Sequence, residues 1–471
     1  MTSTSAYRPS QPGARPGAGL RRAVRRLRPI LGDRLLEPGD AAYAAATRLW
    51  NSAVTRRPAL VARCRTTAEV RAAVVAARDF RLPLSVRGGG HDWAGRALAD
   101  GGLVVDLTGL RSVEIDVGRR TAVVGGGATV ADLLAAARPY GLVTPTGVVR
   151  AVGLAGLTLA GGYGPLNGRY GLALDNLLGA EVVLADGRRV VAAPDADAEL
   201  FWALRGGGGN FGVVTGLRYR LHALPTVLAG MIMFPLAQAG PVLRGYHEFL
   251  AAAPDELTVM AGFLPGPDGG PLLFLAPTWS GADLAAGERE IARLAAPGTP
   301  SLHQVGPMAY DDALRLFDAS MVDGNRYLLR TRWLAGVPEP VARVLTEAAR
   351  RSGSAYSTLA LHHFHGAAAR VARPDTAFGL RDPHLVAEII AVWAPGQEER
   401  PYREWAERVA AELEPLALPG GYPNLLAPDE TDRLRAAYGP NYPRLLAAKR
   451  RYDPAGVFGS ATPTLPRPDH A

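Results

Sequence analysis

Cysteine is nearly missing from this 471-residue chain, in which Cys64 is the only one. A single thiol excludes an intramolecular disulfide and any metal cluster built on several cysteines. Cys64 sits in PALVARCRTTAEV, a strand running into a helix start, and reads as a small buried hydrophobe rather than a nucleophile. Lysine is equally scarce. Lys449 stands alone, so the basic residues are nearly all arginine, a bias of the kind a GC-rich genome imposes. The phosphate loop GxxxxGK[ST] is therefore absent. No window approaches the roughly 18 apolar residues that a membrane helix needs, so no membrane partner is expected. A basic body is missing too. The formal charge is +8, but Arg8, Arg15, Arg21, Arg22, Arg25, Arg26 and Arg28 all precede the first acidic residue, Asp33. Removing those seven leaves about +1, too little to gather nucleic-acid phosphates.

What is present divides into four parts. Residues 1–40 form a basic arm whose first 18 residues, rich in Ser, Pro and Gly, are expected to be disordered. LRRAVRRLRPIL lacks the apolar core and small-residue cleavage site of an export signal. It reads as an amphipathic helix packed on the body, and a cytoplasmic location is the expectation. Over 41–225, short strands such as ALVARC and LVVDLTG alternate with Gly-rich turns and Ala-rich helices. Thr129 and Asp132 have capping-box spacing, and Asp186-Gly187 marks a hairpin turn. Residues 226–420 carry longer strands, among them GMIMFPLA and EIIAVWAP, with amphipathic helices between them, which predicts a sheet covered by helices on one face. Residues 421–471 form a largely helical closing segment. The class is α+β.

Four glycine-rich stretches, RGGGHDWAG, VVGGGATV, LAGGYGPLNG and LRGGGGNFG, fall within about 130 residues. Glycine weakens helices and strands, so this density needs a reason. Consecutive N–H groups without side chains make a nest for anionic oxygens, above all a pyrophosphate. GGGNFG matches GxGxxG literally, but it leads into a strand instead of opening a helix. The pattern points to a dinucleotide held in a non-Rossmann way, with a histidine at the mouth of the first loop.

RGGGHDWAG, TPTGVVRAVGLAGLTLAGGYGPLNGRYGLALDN, LFWALRGGGGNFGVVTGLRYRLH and YGPNYPRLLAAKRRYDP, in that order, resemble the berberine bridge enzyme-like flavoprotein oxidases. These belong to the vanillyl-alcohol oxidase superfamily with its PCMH-type FAD-binding domain. The resemblance runs from about residue 45 to 458. It implies a two-part FAD domain, a separate substrate domain with an antiparallel sheet, and an oxidoreductase carrying FAD.

The same resemblance assigns residues. His91 matches the histidine bonded to the flavin 8α-methyl, and backbone groups of Arg87, Gly88, Gly89, Gly90, Asp92 and Trp93 would hold the pyrophosphate. Val149 stands where many relatives have a second, cysteinyl link, so a singly attached flavin is implied, as in the 6-hydroxynicotine oxidase-like branch. Gly153, Ala155, Gly156 and Gly162 would let the backbone approach the isoalloxazine and pyrophosphate, and Val214 would meet the adenine. Tyr422, in Y-P-N, matches a catalytic base whose pKa a positive neighbour would lower. Tyr163 would be its hydrogen-bonding helper, and Asn424 would contact the flavin ring. The substrate would be a small alcohol, sugar or amine, with dioxygen reoxidising the flavin to give hydrogen peroxide. A dehydrogenase using another acceptor, or a weakly catalytic flavin-binding protein, is the alternative.

Two further readings concern residues outside these motifs. His363 and His365, in LHHFHG, share a strand face without a third ligand, so metal binding is not expected. Trp393 is read as core. The closing motif departs from the family's RYDPxNxFRxNxNI, having Gly456, Gly459, Ala461 and Pro463 at its Asn, Arg, Asn and Asn positions, so the usual tail contacts to flavin are lost.

Overall fold

The computed structural model describes residues 17–318, 321–461 and 463–466. Residues 1–16 of the arm lie outside them, whereas Gly17 and Ala18 already lead into a helix, Ala18–Leu31. That helix buries Ala23, Leu27 and Leu31 with Val70, Ala73 and Val74 of the helix Thr67–Asp79. The Thr66 side chain caps the second helix by accepting from the Glu69 N–H at 3.2 Å.

The first sheet contains β1 (Leu35–Leu36), β2 (Leu60–Arg63), β3 (Leu84–Arg87) and β4 (Leu103–Asp106) in the order β1-β2-β4-β3. β2, β4 and β3 run parallel. Their apolar runs follow from burial on both faces, and β4 is buried along its whole length.

A second, antiparallel sheet uses β5 (Val113–Asp116) and β6 (Thr121–Gly125). Beyond a short ribbon strand β7 (Leu142–Val143), it continues with β8 (Leu177–Val183), β9 (Arg189–Ala192) and β10 (Val213–Arg220). Its order is β5-β6-β10-β8-β9, and β7 pairs with β11 (His222–Ala223). Asp186 and Gly187, the latter at φ +87°, close the β8–β9 hairpin.

The third sheet contains β12 (Val227–Pro235), β13 (Leu257–Pro265), β14 (Pro271–Trp279), β15 (Leu302–Met308), β16 (Arg326–Leu334), β17 (Thr358–Phe364) and β18 (His384–Trp393). All neighbours are antiparallel in the order β15-β12-β14-β13-β17-β18-β16. Helices Ala239–Leu250, Leu284–Ala295, Glu339–Arg350 and Arg400–Leu413 supply apolar residues to one core with Ile232, Val259, Leu275, Leu361 and Ile389. Side chains alternate along each strand, so residues of opposite parity face the other way. His362 pairs with Val386, two residues from Glu388, which places both on one face. Trp393 is 1% exposed and stacks on Tyr402, a core role.

After these elements the chain returns through 421–427 and two helices, Thr431–Tyr438 and Tyr442–Tyr452. The described helices include none long and apolar enough to cross a membrane.

Candidate active site

β3 ends at Arg87, and the next residues leave the ladder. The N–H groups of Gly88, Gly89, Gly90 and His91 meet no backbone carbonyl among the described residues. Gly90 adopts φ +70°, and a Cβ on Gly89 would stand 2.4 Å from the Gly153 nitrogen, so two glycine backbones abut here. Neighbouring side chains fix this loop. Asp92 accepts from the Arg96 N–H at 2.6 Å and from its guanidinium at 2.7 Å. The Trp93 indole donates to the Leu425 carbonyl at 3.1 Å, and the Trp93 carbonyl accepts from Asn51 Nδ2 at 2.7 Å. Arg87 donates to the carbonyls of Ala46 and Arg48, so its guanidinium braces the loop from behind. The His91 ring stacks on Trp50, with centroids 4.3 Å apart and planes 12° from parallel. Burial pushes its pKa down to about 4, leaving the imidazole neutral at physiological pH.

His91 lies in a cleft that, counted out to its solvent-open mouth, holds about 1680 Å³ of empty space. Gly153, Ala155, Gly156 and Gly162 line it, as does Val214 of β10. A Cβ on Gly156 would meet nothing within 4 Å, because it would stand in the cleft itself. Val149 lines the wall, whereas Cys64 is buried in the core of the first sheet. Phe458, Ser460 and Ala461 of the divergent tail also line the cleft, so the tail keeps its place without the family's asparagines. A cleft with a row of N–H donors and glycines where side chains would intrude fits a dinucleotide such as FAD.

Leu329, His362, Glu388, Tyr163 and Tyr422 also line the cleft. The Gly162 N–H donates to the Tyr422 hydroxyl at 2.9 Å, and Gly161 (φ +149°) makes room for that ring. Burial pushes Tyr422 up to about 12, and Glu388 acts in the same direction. No cation is among the causes acting on Tyr422, and burial outweighs the Gly162 and Asn424 contacts that act the other way. The Tyr163 ring meets that of Tyr422 edge to face at 4.7 Å. Its hydroxyl lies 2.7 Å from His384 Nε2, while His384 Nδ1 lies 2.7 Å from the Asp382 carbonyl. A carbonyl only accepts, so Nδ1 carries the hydrogen and Tyr163 donates to Nε2. Asn424 Nδ2 reaches the Gly156 carbonyl at 3.4 Å and ties the returning segment to the glycine wall.

Of the expected site residues, all but Arg87 line this one cleft, while Arg87 lines the neighbouring pocket with Arg48 and Arg150. The structure also adds Trp50, His362 and Glu388, with His362 Nε2 3.3 Å from Glu388 Oε1. Glu388, the one acid in the apolar strand HLVAEIIAVW, carried a readable signal, whereas Trp50 reaches His91 only through tertiary packing. His363 and His365 stack on each other at 3.8 Å and lie outside this cleft, and His365 meets Thr258 Oγ1 at 3.1 Å. Among the described residues no group of three His, Cys, Asp or Glu is placed to hold a metal.

Comparison with known proteins agrees with this architecture. Residues 58–193 match a family described as "FAD binding domain", and residues 421–463 match one described as "Berberine and berberine like". The chain is 33% identical to (R)-6-hydroxynicotine oxidase of Paenarthrobacter nicotinovorans, covering 90% of this chain and 94% of that protein. It is 30% identical to the FAD-linked oxidoreductase aurO of Gibberella zeae, covering 88% and 82%. The crystal structure of 6-hydroxy-D-nicotine oxidase from Arthrobacter nicotinovorans superposes with a TM-score of 0.83 at 31% identity, covering 91% of this chain and 96% of that one. The chain belongs to the berberine bridge enzyme-like family of FAD-linked oxidoreductases.

Proposed function

We propose that this oxidoreductase holds FAD through one covalent bond from His91 and oxidises a small alcohol, sugar or amine, with dioxygen leaving as hydrogen peroxide. The observation that carries the reading is the continuous cleft joining the Gly88–His91 donors to the Glu388–His362 pair. A row of N–H groups suits a pyrophosphate, and a neutral imidazole has a lone pair to offer. Val149 supplies no sulfur and Cys64 is buried elsewhere, so this chain has one residue to attach with.

FAD held there would supply the hydride acceptor. The side chains must hold the substrate and receive its O–H or N–H proton. Glu388 is the acceptor favoured by geometry: it lines the cleft with His362 beside it, whereas Tyr422 keeps its own proton. Tyr422 receives the Gly162 N–H and so has its hydroxyl hydrogen to give to the substrate. Tyr163 is committed to His384 and forms the wall behind it. Arg96, the cation lining the cleft, is bound by Asp92 on the cofactor side, so an uncharged alcohol or an amine suits the substrate end better than an acid. The name of the 6-hydroxynicotine oxidase relative is in keeping with an amine.

Anaerobic bleaching of the flavin across a library of alcohols, sugars and amines tests the reaction class. Reoxidation in air-saturated buffer tests the acceptor, since a slow rate excludes the oxidase. With a bleaching substrate in hand, Glu388→Gln lowers the reductive rate by roughly 10²–10⁴, and Tyr422→Phe by less than about tenfold. The opposite ranking would give the base role to Tyr422.

A further inference from the structure

Trp50 and Asn51 belong to none of the glycine motifs, yet they are built into the wall behind His91. Trp50 offers one indole face to the imidazole at 4.3 Å, and Tyr327 of β16 tilts against it at 4.1 Å. The indole nitrogen is buried and makes no hydrogen bond among the described residues, so what Trp50 contributes is its face. Asn51, 2% exposed, fixes the position of this segment. Its Nδ2 donates to the carbonyls of Trp93 (2.7 Å) and Tyr327 (3.0 Å). Its Oδ1 accepts the N–H groups of Tyr327 (2.9 Å) and Ala53 (3.0 Å). The Gly324 N–H donates to the Trp50 carbonyl and the Ser52 N–H to the Asn325 carbonyl, both at 2.9 Å. A flat ring is therefore clamped between the histidine loop and the substrate sheet.

We propose that Trp50 is the positioning residue for covalent capture of FAD, its indole face setting the plane of the His91 ring for attack on the flavin 8α carbon. The proposal rests on His91 being the point of attachment. In the attachment, one imidazole nitrogen forms a C–N bond to that carbon. The carbon gives up one proton and the imidazole its N–H proton, and two electrons pass through the ring system to dioxygen, which leaves as hydrogen peroxide. Trp50 takes no part in these bond changes. It restricts rotation of His91, and a reacting atom held in place gains rate over one that must find its geometry.

The test compares holoproteins of the wild type, Trp50→Phe, Trp50→Leu and His91→Ala. Total FAD per chain is measured first, then the fraction that stays with the pellet after acid precipitation. Trp50→Leu keeps its total FAD but loses roughly tenfold or more of the pellet fraction, whereas Trp50→Phe, which still stacks, keeps most of it. Three results overturn the proposal: an unchanged pellet fraction in Trp50→Leu, total FAD lost in parallel with it, or Trp50→Phe falling as far as Trp50→Leu. Should Trp50→Leu fail to fold, Tyr327→Leu removes the ring backing Trp50 and reads the same quantity, and an unchanged fraction there is equally fatal. His91→Ala is read separately. A coloured pellet from that variant refutes attachment at His91, whatever Trp50 does.

Discussion

Lys449 shows how much one side chain can carry when it is placed inside. It is 2% exposed, and Asp453 is 0% exposed. The ammonium donates to Asp453 Oδ2 at 2.7 Å, to the Asn210 carbonyl at 2.8 Å and to the Phe458 carbonyl at 3.3 Å. Asp453 in turn accepts the N–H groups of Val457 and Phe458. The pair joins the LRGGGGNFG loop to the tail that lines the cleft. A buried pair adds little net stability, because desolvation offsets attraction, but removing one partner strands the other. Lys449→Met is therefore expected to cost about 3–5 kcal/mol in chemical denaturation. Arg119, paired with Asp116 at 3.0 Å, is 84% exposed, and Arg119→Ala should stay within about 0.5 kcal/mol. Equal losses at the two positions would mean that burial is not what sets the difference.

At the scale of elements, β17, β18 and the turn after β17 gather titratable rings that the fold keeps neutral. Burial pushes His365 and His384 down to about 4, and His363 lies well below its ordinary value. His363 and His365 stack, with Asp255, Arg370 and Thr258 around His365, while His384 is enclosed by Tyr163, Phe364 and Trp333. A histidine whose folded pKa lies below its unfolded value binds more protons when unfolded, so stability falls as pH drops. The contribution is complete above about pH 6.5 and is lost towards pH 4. Between pH 7 and pH 5 a group shifted this far loses about 2 kcal/mol. Urea unfolding at several pH values should show this slope, reduced in His384→Gln, whose amide does not titrate. A profile flat down to pH 5 would mean that the rings are already charged in the folded protein.

At the scale of the whole molecule, the cleft exists because distant segments meet: the loop after β3, the glycine wall at 153–162, β17 and β18, and the return at 421–427. The parts that were legible in the sequence are those written locally. The capping box at Thr129 and Asp132, the Asp186-Gly187 hairpin and the glycines ahead of His91 each state their geometry within a few residues. Illegible were the consequences of packing. The burial that raises Tyr422 is not visible in Y-P-N, Trp50 has no motif before it meets His91, and the choice of His362 over its neighbours depends on which face of β17 meets the cleft. A ligand lying between two sheets also stabilises their docking. A reversible ligand does so in proportion to its concentration, by about 2.7 kcal/mol at one hundred times its dissociation constant. A ligand held by a covalent bond cannot be diluted away. The melting temperature of the wild-type holoprotein should therefore be indifferent to added FAD, while that of His91→Ala should climb by a few degrees as FAD is raised a hundredfold above its dissociation constant. Differential scanning fluorimetry across an FAD series decides the matter: parallel curves for the two proteins, both rising, would show that the wild-type cofactor exchanges freely and that His91 makes no bond to it.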